Sequence, residues 1–235
     1  MKLLILQHVH VEHPGIFRSF LREDGHDWVT VQLGEGEPLP SLKNFDALWV
    51  MDVWEEDRYP WLRDEKRLIK NAVEERGMPF LGLCLGHQLL AEALGGTCEK
   101  AERPEIGVMP VQLTEVGADG IIFDDFPDTF SCLQWHGAEI KQMPPGATCL
   151  ATSPDCPVQA MAWGPRAYST QFHLEVEPDT VENWMGISAY RASLIDALGE
   201  AGPEKLNAAC AMNVAEFNRL AERFYINWLQ TAARV

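Results

Sequence analysis

The segment best suited to covalent chemistry is Gly82-Leu83-Cys84-Leu85-Gly86. It has the form G-x-C-x-G, the thiol counterpart of the G-x-S-x-G turn that joins a strand to a helix. A side chain at either glycine would collide where the chain reverses sharply. The turn offers Cys84 at a helix N-terminus, where unpaired N–H groups and the helix dipole favour thiolate over thiol. The N–H of Leu85 then points toward an oxyanion forming on an attacked carbonyl. Taken alone, the segment also fits a buried cysteine whose glycines serve packing, because free cysteine is commonly a small buried hydrophobe.

A cysteine nucleophile needs an imidazole to take its proton and later return it to the leaving group. A carboxylate on the far ring nitrogen fixes the tautomer and stabilises the imidazolium. His173 and Glu175 lie two residues apart at the end of an expected strand, a spacing that sends both side chains from one face. Without the elbow, the pair would read as an ordinary strand-end histidine and a surface charge.

The run from Phe80 to Ala91, with Leu94-Gly95-Gly96 just beyond, closely resembles the elbow of class I glutamine amidotransferases. That family's second signature follows in the correct order as Gln171-Phe172-His173-Leu174-Glu175. The resemblance spans about Met1 to Trp184 and is nearest to stand-alone members similar to the amidotransferase half of GMP synthase. It implies that Cys84 is the nucleophile, His173 the proton shuttle and Glu175 its orienter. It also makes Gln88 a contact for bound glutamine. Trp135-His136-Gly137 matches the family segment whose backbone holds the α-amino and α-carboxylate groups. By residue type alone, Gln88 also fits a solvent-facing helix residue, and Cys132-Leu133 before Trp135 equally fits an ordinary strand end.

Two departures from the family pattern stand out. Leu174 occupies the place where the family usually carries proline, which stiffens a turn without supplying a reacting group. More seriously, the family's third strand runs into a Gly-Gly-Pro turn that completes the oxyanion hole, whereas here Met51 leads directly into Asp52-Val53-Trp54. About four residues of the family pattern are absent, and losing one oxyanion donor costs about 10²–10³ in rate. Two readings follow: an enzyme whose rearranged loop supplies a substitute donor, or a silent relative that keeps the fold for binding or regulation.

His8, His10 and His13 form H-x-H-x-x-H after the first strand. A metal cluster would recruit further ligands from elsewhere, and no second His/Asp/Glu motif is free to supply them. The three are therefore expected on a loop rimming the site, and neither a metal nor a cofactor is expected. Phe217, Leu220, Phe224 and Trp228, at helical spacing, read as core or homodimer contacts rather than a cofactor box.

The elements that must position these residues follow from patterning. Short apolar runs alternate with amphipathic stretches, the signature of a sheet covered on both faces. Strands are expected at Leu3–Leu6, Trp28–Gln32, Asp46–Met51 and Phe80–Leu83, then at Val108–Leu113, Thr148–Ala151, Gln159–Trp163 and Ala167–Phe172. Helices are expected after Pro14-Gly15, from Pro60, from Leu85 and from Pro178, and over the last forty-odd residues with a break at Gly199–Pro203.

The predicted fold is a three-layer α/β/α sandwich with a mostly parallel sheet, the flavodoxin-like arrangement of class I glutamine amidotransferases. Its site is expected at the C-terminal edge of the strands. The amidotransferase-like domain is expected over residues 1–186, and a helical C-terminal extension packed on it over 187–235.

Composition bounds the rest. With 35 acidic against 19 basic residues the net charge is −16, which repels phosphate backbones and anionic membranes and argues against nucleic-acid partners. No apolar run approaches the roughly 18–20 residues that cross a bilayer. Met1–Leu6 is too short for a signal peptide and reads as a strand. Six scattered cysteines without a CxxC pair suggest reduced thiols in the cytoplasm. The implied substrate is glutamine or a γ-glutamyl small molecule. With no Gly-rich ATP-binding loop in view, ammonia would pass to a synthetase subunit or simply be released. A γ-glutamyl peptidase is the related alternative.

Overall fold

The computed structural model describes residues 1–51 and 61–234. Among them, nine strands form one sheet in the order β2-β1-β3-β4-β9-β8-β7-β5-β6. The strands are β1 (Lys2–Gln7), β2 (Asp27–Gln32), β3 (Ala47–Val50), β4 (Phe80–Leu83), β5 (Thr97–Leu113), β6 (Thr129–Gln142), β7 (Ala147–Thr152), β8 (Ala160–Trp163) and β9 (Ala167–Thr170). The helices are α1 (Phe17–Glu23), α2 (Leu62–Lys70), α3 (Leu85–Ala93), α4 (Glu115–Ala118), α5 (Thr180–Met185), α6 (Ser188–Leu198) and α7 (Gly202–Ala232).

The sheet divides into two halves. From β2 to β9 every pairing is parallel, and from β9 to β6 every pairing is antiparallel. The sheet is thus mixed rather than mostly parallel. The physical reason lies in the connections. The parallel strands are separated by segments long enough to carry helices, whereas Gly164-Pro165 turns β8 directly into β9 as a hairpin.

Strict alternation sorts the parallel strands into two cores. Leu3, Ile5, Trp49, Leu81 and Leu83 face α1 and α7, while Leu4, Leu6, Leu48, Val50 and Phe80 face α2 and α3. The result is the three-layer α/β/α sandwich. A third cluster joins Ile106, Leu133 and Trp135 to Trp184, Leu194, Leu206 and Phe217, and so packs α5, α6 and the start of α7 against the antiparallel half.

Helix α7 is 31 residues long, about 46 Å at the α-helical rise. Gly202 and Pro203 lie in its first turn rather than in the break before it, which fits proline's tolerance at a helix start. Its buried face carries Phe217, Leu220, Phe224 and Trp228, the residues expected from their spacing. Trp228 meets Trp49 edge-to-face at 5.2 Å and donates its indole N–H to the Phe80 oxygen at 3.2 Å. The helix therefore grips the strand that leads into Cys84. Truncation of Trp228 to alanine is expected to destabilise the protein by about 3–5 kcal/mol, read from urea unfolding midpoints. A loss below about 1 kcal/mol would show that α7 is held mainly elsewhere.

Candidate active site

Strand β4 ends at Leu83 beside Thr170 of β9, and the Cys84 N–H donates to the Thr170 oxygen at 2.8 Å. Cys84 itself adopts φ 49° and ψ −100°, a conformation that a side-chain-bearing residue rarely takes. Helix α3 begins at the next residue, Leu85, and the His87 and Gln88 N–H groups donate back to the Cys84 oxygen at 3.1 and 3.3 Å.

The flanking glycines are required by space. A Cβ on Gly82 would lie 2.4 Å from the Gly86 oxygen, and one on Gly86 would lie 2.1 Å from the Val50 oxygen. Close backbone approach between β3, β4 and α3 is what makes the turn sharp.

His173 and Glu175 follow β9 at the same sheet edge. A single antiparallel bridge to Leu133 of β6 holds the His173 backbone there, with bonds of 2.9 and 3.2 Å. His173 Nδ1 donates to Glu175 Oε1 at 2.6 Å, so the neutral ring carries its lone pair on Nε2. Trp184 of α5 meets the His173 ring edge-to-face at 4.9 Å and donates its indole N–H to the Val11 oxygen. The second carboxylate oxygen of Glu175 accepts the Leu174 N–H at 3.0 Å. The departure from proline at this position thus has a structural counterpart, because proline has no N–H to give. Gly15 completes the support: its φ is +46°, a Cβ there would lie 1.7 Å from the Glu175 oxygen, and the next residue, Ile16, donates its N–H to that oxygen.

A cavity of about 630 Å³ opens above Cys84. Gln88, Trp135, His136 and Gly137 all line it, so the structure gathers the expected substrate contacts around the nucleophile candidate. Their side chains behave differently. Gly137 is exposed with nothing near its missing side chain, which leaves room for a ligand against the backbone. The His136 ring turns inward instead. Its Nδ1 donates to the Ala138 oxygen at 3.0 Å, and its Nε2 sits 3.1 Å from Glu105 Oε2. Glu105 also accepts from Ser153 and Gln159, so its heteroatom cluster with His136 and Cys156 already works as a buried brace. Sequence reading missed this brace because its members His136, Ser153 and Gln159 lie 31 to 54 residues from Glu105 along the chain. It also missed Trp184, Tyr190 and α6, which wall the cavity from the C-terminal side.

The three N-terminal histidines go to separate environments. His8 is buried, stacks on Trp61 at 5.3 Å and bonds both oxygens of Glu65. His10 is exposed, and His13 is half-buried 3.8 Å from Glu177, with its pKa lowered chiefly by burial. The expected loss of the Gly-Gly-Pro turn falls on residues 52–60, outside the described residues.

The remaining cysteines are held as thiols. Burial pushes Cys156 and Cys210 up to about 12, and raises Cys98, Cys132 and Cys149 as well.

The chain is similar to known proteins over much of its length. Residues 55–185 match the family described as Glutamine amidotransferase class-I. A glutamine amidotransferase-like protein of Salmonella typhimurium, YfeJ, is 31% identical over 233 residues, 95% of each chain. The GMP synthase of Geobacillus kaustophilus is 39% identical over 113 residues, which are 48% of this chain but only 22% of that enzyme. Among solved structures, a glutamine amidotransferase from Thermotoga maritima superposes with a TM-score of 0.86 at 28% identity, over 100% of this chain and 99% of the other. No helix among the described residues is long and apolar enough to cross a membrane.

His87, in the turn after Cys84, shows what burial does here. Its Nε2 donates to the Val158 oxygen and its Nδ1 accepts from the Ser169 hydroxyl, so the neutral ring is fully satisfied. Burial pushes its pKa from 6.5 down to about 3. Between those values the unfolded chain binds the extra proton, so stability falls as pH is lowered through this window. From pH 7 to pH 5 this one group should cost about 2 kcal/mol. Urea titrations at both pH values should show a His87→Gln variant with a correspondingly flatter dependence. An unchanged slope would refute the assignment.

Proposed function

The chain belongs to the class I glutamine amidotransferase family, and from that premise we propose that it hydrolyses the γ-amide of glutamine, or of a γ-glutamyl compound, through a thioester on Cys84. Cys84 attacks the amide carbonyl and loses its proton to His173. Glu175 keeps the His173 ring in the tautomer that accepts this proton and balances the imidazolium charge. The Leu85 N–H, at the first position of α3, stabilises the developing oxyanion. His173 protonates the departing nitrogen, and water resolves the thioester to glutamate. Gln88 and the edge Trp135-His136-Gly137 hold the substrate. Ammonia is released or passed to a synthetase subunit.

The observation that carries the reading is that a strained cysteine elbow follows the end of β4 while a histidine bonded to a glutamate follows the end of the adjacent parallel strand β9. Trp184 packs against the same ring at 4.9 Å and also lines the cavity above Cys84.

A second reading, hydrolysis of γ-glutamyl amides with an organic leaving group, draws on the cavity. At about 630 Å³ it is sized for ligands well beyond a free amino acid. Trp135, Trp184 and Tyr190 give it an aromatic wall.

A glutamine-analogue electrophile should form one adduct, on Cys84. Glutaminase activity should fall by at least about 10³-fold in Cys84→Ala and by about 10²–10⁴ in Glu175→Gln, both scored by released ammonia. Substrate profiling with γ-glutamyl dipeptides separates the two enzymatic readings. A folded protein that takes no label at Cys84 would leave only a binding or regulatory role.

A further inference from the structure

Buried amides are informative because their two ends differ: the nitrogen only donates and the oxygen only accepts. The Ala138 backbone oxygen lies 3.2 Å from one end of the Gln88 amide. A carbonyl cannot donate, so that end of Gln88 must be nitrogen. The same Gln88 nitrogen lies 2.9 Å from the Gln171 side chain, whose facing atom must therefore be oxygen. The other end of Gln171 is then its nitrogen, and it sits 3.4 Å from the Cys84 sulfur. One backbone carbonyl thus fixes the orientation of two amides and aims an N–H at Sγ.

The chain is held rigidly. Gln171 is completely buried, and its backbone N–H donates to the Gln159 oxygen at 2.8 Å. Gln88 is 4% exposed, and its Oε1 accepts no hydrogen bond among the described residues although it lines the cavity. Ala138 also accepts the His136 Nδ1–H, so the backbone of the substrate edge and the nucleophile share one acceptor.

A thiol sulfur is a poor acceptor, whereas a thiolate is a strong one, and hydrogen bonds to ionised groups are about twice as strong as neutral ones. An N–H aimed at sulfur therefore favours the charged form. We propose that Gln171 is a positioning residue that, through the Ala138–Gln88–Gln171 relay, holds the Cys84 sulfur and stabilises it as the thiolate. This rests on the reading of Cys84 as the nucleophile.

Two variants remove the N–H from sulfur. Gln171→Glu keeps an acceptor for Gln88, and Gln171→Leu replaces the amide with an apolar side chain of similar size. The probe is iodoacetamide, with the Cys84-containing peptide followed by mass spectrometry as a function of pH. In both variants the alkylation profile should move to higher pH by about one unit, a tenfold loss of thiolate at a fixed pH below the midpoint. Profiles superimposable on the unsubstituted protein would overturn the proposal. If the unsubstituted Cys84 fails to alkylate below pH 8, the nucleophile reading itself fails instead. A further measurement needs no substitution. The side-chain ¹⁵N resonance of Gln171 should titrate with the midpoint of Cys84 alkylation, and a pH-independent resonance would equally refute the relay.

Discussion

The parallel pairing of β4 with β9 sets Leu83 beside Thr170, and the Cys84 N–H extends that register by one more bond. From this pairing the geometry of the site unfolds in order. The nucleophile candidate turns into α3 at the edge, while three residues past Thr170 the other strand delivers His173. A slip of one residue in β9 would send His173 to the opposite face of the sheet, because side chains alternate with a period of two. The register is protected from both sides. Trp228 donates to the Phe80 oxygen in β4, and the antiparallel pairing of β8 fixes β9.

Strain at Cys84 is sustained by close packing around it. Positive φ in a residue with a side chain costs of order 1–3 kcal/mol, and it persists because the neighbours leave no alternative path. The Gly86 backbone lies directly against the Val50 oxygen, and the His87 side chain is pinned between Val158 and Ser169. Thus the histidine of the Gly86-His87-Gln88 run serves as an anchor for the turn, and the glutamine one residue on faces the site.

The sequence made the parallel half of the fold and the elbow readable for a physical reason. Buried parallel strands are continuous apolar runs, as in Leu3–Leu6 and Phe80–Leu83, and the G-x-C-x-G turn gained its meaning from the second motif at Gln171–Glu175. The antiparallel half was harder to read. Strand β5 runs from Thr97 to Leu113 through Lys100, Glu102, Arg103, Pro104 and Glu105, and its register shifts between Lys100 and Glu105. Only the apolar end at Val108–Leu113 carries a strand pattern. Strand β6 was seen only as the flank Cys132-Leu133, because the residues after that flank include buried polar side chains such as Gln134, His136 and Glu139. His136 is buried against Glu105, 31 residues away in sequence, and no local pattern reveals such a pairing. Gln171 was visible within its motif, but its contact with sulfur exists only once β9 lies beside β4.

One set of buried polar groups forms a connected network. Removing amides and carboxylates from water is unfavourable unless each finds a partner, and here the partners form a continuous chain. Ser153 and Gln159 bond Glu105, Glu105 meets His136, and His136 bonds the Ala138 oxygen. The same oxygen accepts from Gln88, which leads through Gln171 to Cys84. Both lone pairs of a single carbonyl are therefore in use, one toward the wall of the cavity and one toward the sulfur. A shift of β6 at Ala138 would disturb both sides at once, so the backbone that lines the cavity and the sulfur beneath it share a common reference point.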